Sequence, residues 1–150
     1  MLIRCDVGSE IGWGHLNRCI ILGKELCRYF EITFVVRSNQ PEKIKRLLKG
    51  FFNHVIIPNH LGLIDEIKYY PKGQRFIVLD ISHIKNLRKT YELKQYFNAA
   101  LHYGLQIIYI DGDGDERLKT TDNPLFLAYI QPYMNFEPCP TVKTRFCLSG

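Results

Sequence analysis

The chain has few of the features that would place it quickly. Its five cysteines, Cys5, Cys19, Cys27, Cys139 and Cys147, are odd in number and contain no CxxC pair. That argues against a disulfide framework and against a zinc site. Cys5, Cys19 and Cys27 sit within strand and helix patterns, where a thiol serves as a small apolar residue. A reducing, cytoplasmic setting is the expectation. No apolar run approaches the ~18 residues of a membrane span. The first residues carry Arg4, Asp6 and Glu10 instead of the apolar stretch of a signal peptide. His54, His60, His83 and His102 are scattered without metal-ligand spacing. The turn Asp111-Gly-Asp-Gly-Asp-Glu116 begins like a calcium loop, but Glu116 stands where glycine is needed and no closing glutamate follows. No Walker motif and no nucleic-acid module signature is present. Neither a metal nor a cofactor is expected.

What remains is an ordinary globular composition. Of 150 residues, 46% are hydrophobic and 23% charged, enough for one domain with its own core. The net charge of +5 suits an anionic ligand, and equally a solvated basic surface. Lys43, Lys45, Arg46 and Lys49, and then Lys85, Arg88, Lys89 and Lys94, alternate with apolar positions as the outer faces of helices do.

Strand and helix patterns alternate along the chain. Strands are expected at Leu2–Asp6, Ile32–Val36, His54–Ile57, Phe76–Leu79, Gln106–Ile110 and Leu125–Ile130. Helices are expected at His15–Tyr29, at Pro41–Leu48 with proline in its first turn, at Leu61–Tyr69, and at Leu87–Tyr103 with Gly104 as C-cap. This order predicts an α/β fold, a Rossmann-like parallel sheet with helices on both faces. After Asp111 the composition shifts, and Pro124, Pro132, Pro138 and Pro140 break the remainder. Residues 1–150 read as a single domain cut at a boundary.

The chemistry concentrates between the first strand and the first helix, in Arg4-Cys-Asp-Val-Gly-Ser-Glu-Ile-Gly-Trp-Gly-His-Leu-Asn-Arg18. Open α/β sheets bind ligands beyond the carboxyl ends of their strands. Gly12 and Gly14 permit a tight turn and close approach. The dinucleotide pattern needs a third glycine, which is missing, and the second strand ends at Arg37 instead of an acid, so NAD binding is not favoured. His15 falls in the first helical turn, where the dipole favours a neutral, basic imidazole. Arg18 shares its helix face, and Asp6 ends the neighbouring strand. Base, cation and carboxylate are thus expected around one polar site. The alternative is a histidine that only caps its helix. Asp6, Asp80 and Asp111 end three strands on one edge of the sheet. Trp13 fits a sugar ring or simple packing.

The series Arg4-x-Asp6-x-x-Ser9-x-Ile11-Gly12-x-Gly14-His15-x-x-Arg18, with Phe34-Val-Val-Arg37, Leu79-Asp80 and Ile110-Asp111, resembles the UDP-sugar hydrolases of the pseudaminic-acid pathway and the related spore-coat polysaccharide proteins. The resemblance implies the N-terminal half of a GT-B fold. It implies a UDP-linked amino sugar as substrate and a C-terminal UDP-binding domain, absent here, supplied by further chain or a partner. His15 then matches the catalytic base, with Asp6 as a stabilising carboxylate. Ser9, Gly12, Trp13, Gly14, Arg18, Arg37, Asp80 and Asp111 are the expected substrate-binding positions. Asp80-Ile81-Ser82 lacks the aromatic that usually follows the fourth strand. Two other readings stay open: a glycosyltransferase acceptor domain using the same histidine, and a non-catalytic sugar-binding or interaction domain.

Overall fold

A computed structural model describes residues 1–9, 11–58, 60–81, 90–110 and 126–130. Six strands, β1 (Leu2–Val7), β2 (Thr33–Ser38), β3 (Asn53–Ile57), β4 (Phe76–Asp80), β5 (Gln106–Ile110) and β6 (Phe126–Ile130), form one sheet in the order β3-β2-β1-β4-β5-β6. Every pairing is parallel. This is a Rossmann-like α/β fold. The strand order reverses between β1 and β4, which makes the crevice beyond their carboxyl ends the switch point of the fold.

Both faces of the sheet are covered, which is why the strands read as continuous apolar runs. On one face α1 (Gly14–Leu26) and α2 (Pro41–Leu48) bury Leu16, Cys19, Ile44 and Leu48 against Ile3, Cys5, Val7, Phe34 and Val36. On the other, α3 (Thr90–His102) and a 3-10 helix (Asp65–Tyr69) bury Leu93, Tyr96, Phe97 and Ile67, with Tyr70 just after the 3-10 helix, against Leu2, Val35, Ile77 and Leu79. Gly23 lets α1 sit close to the sheet. A Cβ there would lie 3.1 Å from the Phe34 ring and 3.2 Å from Phe52.

The expected elements recur with shifted ends. The strand expected to close at Val36 runs on to Ser38, so Arg37 lies inside β2. The helix expected over Leu61–Tyr69 is only the 3-10 turn Asp65–Tyr69. The Leu61 carbonyl, which a longer helix would pair with the Asp65 N–H, accepts from the Arg37 guanidinium at 2.7 Å, while the Gly62 carbonyl still takes the Glu66 N–H at 3.3 Å. The last long helix is described from Thr90, and residues 87–89 of that expectation lie outside the described residues. Gly104 adopts φ +90° and closes α3 with Leu105 N–H on the Ala100 carbonyl, as a glycine C-cap does. Among the described residues, no helix is long and apolar enough to cross a membrane.

Candidate functional site

The loop after β1 turns back on itself. Gly12 donates its N–H to the Gly8 carbonyl at 2.8 Å and adopts φ +84°, a conformation that favours glycine. Trp13 then caps α1 with its backbone, and no side chain caps this helix. His15 is therefore not a helix-capping histidine. It stands in the first turn, at the mouth of the switch-point crevice.

Its partner comes from the far side of that crevice. In the β1–β4 register Cys5 lies opposite Asp80, so Asp80 points to the same face as Cys5 and α1. Asp80 is fully buried, and its Oδ1 lies 2.6 Å from Nδ1 of His15. Arg18, one turn along α1, forks onto the same carboxylate with Nε 2.5 Å from Oδ2 and Nη2 2.6 Å from Oδ1. Cys19 adds a thiol donor to Oδ2 at 3.5 Å. Burial alone would raise the Asp80 carboxyl, but the hydrogen bonds and positive charge of Arg18, with the bond from His15, outweigh it and hold the group below its ordinary range. The Cys19 thiol is pushed well up by its hydrogen bond with Cys5 and by burial, so it stays protonated as a donor. The His15 side chain keeps 16% of its surface exposed.

An imidazole, a guanidinium and a carboxylate thus come together, but the carboxylate is Asp80 and not the expected Asp6. Strand alternation explains the difference, because residues 5 and 6 of β1 face opposite sides of the sheet. Asp6 is fully buried on the α3 side and pairs with Arg4 at 2.8 Å. Arg37, opposite Asp6 in register, points there too and pairs with Glu66 at 2.7 Å. The same Glu66, fully buried, receives both Nε and Nη2 of Arg4 at 2.6 and 2.9 Å and the Tyr70 hydroxyl at 2.7 Å. Burial would raise Glu66, yet Arg4, Arg37 and the Tyr70 hydroxyl hold it below its ordinary range. The sequence pattern does not single out Glu66; an acid beside Ile67 in a short apolar turn is its one signal.

The other expected positions divide. Ser9 and Gly14 are exposed at the loop, and a side chain at Gly14 would meet open space. Trp13 packs partly against the α1 core, and the Lys43 ammonium sits 4.0 Å above its ring. With Arg46 and Leu47 these two line an open groove of about 490 Å³. Asp111 lies outside the described residues. Among the described residues, no group of three or more His, Cys, Asp or Glu side chains is arranged to hold a metal ion.

Compared with known proteins, the chain matches no family model, no curated protein and no solved structure.

Proposed function

We propose that this chain is the N-terminal, Rossmann-like half of a GT-B-type nucleotide-sugar hydrolase. In this reading His15 activates water against the anomeric carbon of a UDP-linked diacetamido-trideoxyhexose. The observation that carries it is the His15–Asp80 pair spanning the switch point. A carboxylate on Nδ1 fixes the tautomer and leaves Nε2 with a lone pair. A buried, ionised Asp80 with a partly exposed imidazole is a base with its orienting group behind it.

The chemistry balances with water and the sugar nucleotide alone. Nε2 takes a proton as the water oxygen bonds to the anomeric carbon. The bond from that carbon to the diphosphate oxygen breaks, and its electron pair leaves with UDP. The imidazolium then returns its proton to solvent. A diphosphate is weakly basic, so its departure needs little protonation. Ser9, Gly12 and Gly14 border the crevice and contact the sugar. A C-terminal domain or partner chain holds the UDP. Asp6 is given no part in the reaction, because it faces the other side of the sheet.

A second reading is the acceptor half of a glycosyltransferase, with His15 deprotonating a sugar hydroxyl. The groove of Trp13, Lys43, Arg46 and Leu47, beside the same loop, favours it. The two separate in one assay. The full-length protein is incubated with UDP-2,4-diacetamido-2,4,6-trideoxy-β-L-altropyranose in oxygen-18 water, without acceptor. The hydrolase reading expects UDP to be released with no label in its β-phosphate. Labelled phosphate means phosphorus–oxygen cleavage and overturns the mechanism. Absence of release from a well-folded protein overturns the hydrolase reading.

A further inference from the structure

We infer that Arg18 is a positioning residue of the His15 site, holding both oxygens of Asp80 so that the carboxylate stays against Nδ1 of the imidazole and the ring presents Nε2 to the crevice. The inference rests on the reading of His15 as a base. It gives Arg18 a role different from the substrate contact that its sequence position suggests.

Three distances define the arrangement. Arg18 Nε is 2.5 Å from Oδ2, Arg18 Nη2 is 2.6 Å from Oδ1, and Nη2 is also 2.9 Å from His15 Nδ1. A guanidinium only donates. If Nδ1 carried a lone pair, it would accept from Arg18 Nη2 at 2.9 Å but face an oxygen lone pair of Asp80 at the shorter distance of 2.6 Å, a repulsive contact. If Nδ1 carries the proton, it donates to Oδ1 at 2.6 Å and faces the Nη2 hydrogen at the longer distance. The shorter contact, to an ionised carboxylate, favours the Nδ1–H arrangement.

The second consequence is electrostatic. A carboxylate against one ring nitrogen, acting alone, stabilises the imidazolium and blunts the base. Arg18 places a full positive charge at nearly the same distance from the ring, which opposes that pull. Cys19 from α1 and Cys5 from β1 also lie on the face to which Asp80 projects from β4. Both are thiols and bring no cation. Among the described residues, Arg18 is the cation paired with Asp80, and its charge opposes the pull of that carboxylate on a proton at the ring.

The test is carbon- and nitrogen-detected NMR of the His15 ring in the full-length protein, with Arg18→Gln and Arg18→Lys beside the wild type. The wild type should show the Nδ1–H tautomer. In Arg18→Gln the pH at which the ring signals change should move upward by about one unit. Arg18→Lys, which keeps the charge without the fork, should fall between the two. In the UDP-release assay, Arg18→Gln should lower kcat near neutral pH and recover it at higher pH, with KM little altered. Superimposable ring titrations in all three proteins overturn the inference, as does a rise in KM with an unchanged pH profile, the signature of a substrate contact. Should Arg18→Gln not fold, Arg18→Lys against wild type decides the matter by the same two readouts. The ring titration needs no turnover, so it stands or falls separately from the hydrolase reading.

Discussion

Nδ1 of His15 lies 2.6 Å from Oδ1 of Asp80, although 65 residues separate them in the chain. One residue opens α1 and the other closes β4, and the two strands that lead to them are hydrogen-bonded neighbours. The pair therefore depends on the β1–β4 register. Replacing Asp80 by Asn removes the charge, leaves Arg18 facing a neutral amide, and frees the imidazole to take the other tautomer. Under the proposed hydrolase reading, UDP release should fall by about 10²–10⁴-fold, mostly in kcat. Steady-state kinetics on a variant with an unchanged circular dichroism spectrum checks this. Activity within a few fold of wild type would remove Asp80 from the mechanism.

On the opposite face, Glu66 and Arg4 form a fully buried, two-pronged ion pair that Arg37 and Tyr70 complete. Breaking it from one side leaves Arg4 with an uncompensated share of its charge. Glu66→Gln should cost about 3–5 kcal/mol of stability near neutral pH, read by urea unfolding. A loss below about 1 kcal/mol, the range of exposed pairs, would mean that the pair is not buried as described.

Both Glu66 and Asp80 are held below their ordinary values, 4.5 and 3.8. A depressed carboxylate binds fewer protons folded than unfolded. Its stabilisation is whole above the ordinary value and is lost as pH falls through the lowered one. Unfolding free energy should thus be nearly level from pH 7 to 5 as far as these two groups decide it, and should drop steeply below about 4.5. A thermal melt series across pH 3–7 checks this. A midpoint that stays flat down to pH 3 would contradict it.

Gly23 is a helix-interior glycine whose replacement ought to help by propensity alone, since alanine gains about 1 kcal/mol over glycine there. The Phe34 and Phe52 rings sit where the new Cβ would go. Gly23→Val adds two further carbons and should destabilise by about 1–3 kcal/mol through overpacking. Thermal unfolding of the variant decides it, and an unchanged midpoint would show that α1 can stand further from the sheet.

The alternation of elements was legible because buried parallel strands leave continuous apolar runs, and Val35-Val36, Ile77-Val78-Leu79 and Ile107-Ile108 are such runs. The loop and His15 were legible for a different reason: Gly12 marks a turn at φ +84°, a backbone conformation that other residues rarely adopt. The partner of His15 was not. Asp6 and Asp80 both end strands on one edge, and only the face to which each side chain alternates separates them. That face depends on register, here Cys5 opposite Asp80, which no local pattern encodes. The Arg4–Glu66 pair was hidden for the same reason, since it joins β1 to a turn 62 residues away.

If His15, held by Asp80, is the base that delivers water to the anomeric carbon, its removal must abolish turnover. The measurement is UDP release from UDP-2,4-diacetamido-2,4,6-trideoxy-β-L-altropyranose by the full-length protein, wild type against His15→Ala. Steady release by the wild type and a loss of about 10²–10⁴-fold in the variant are expected. Equal release by both, or none from a well-folded wild type, would contradict that role.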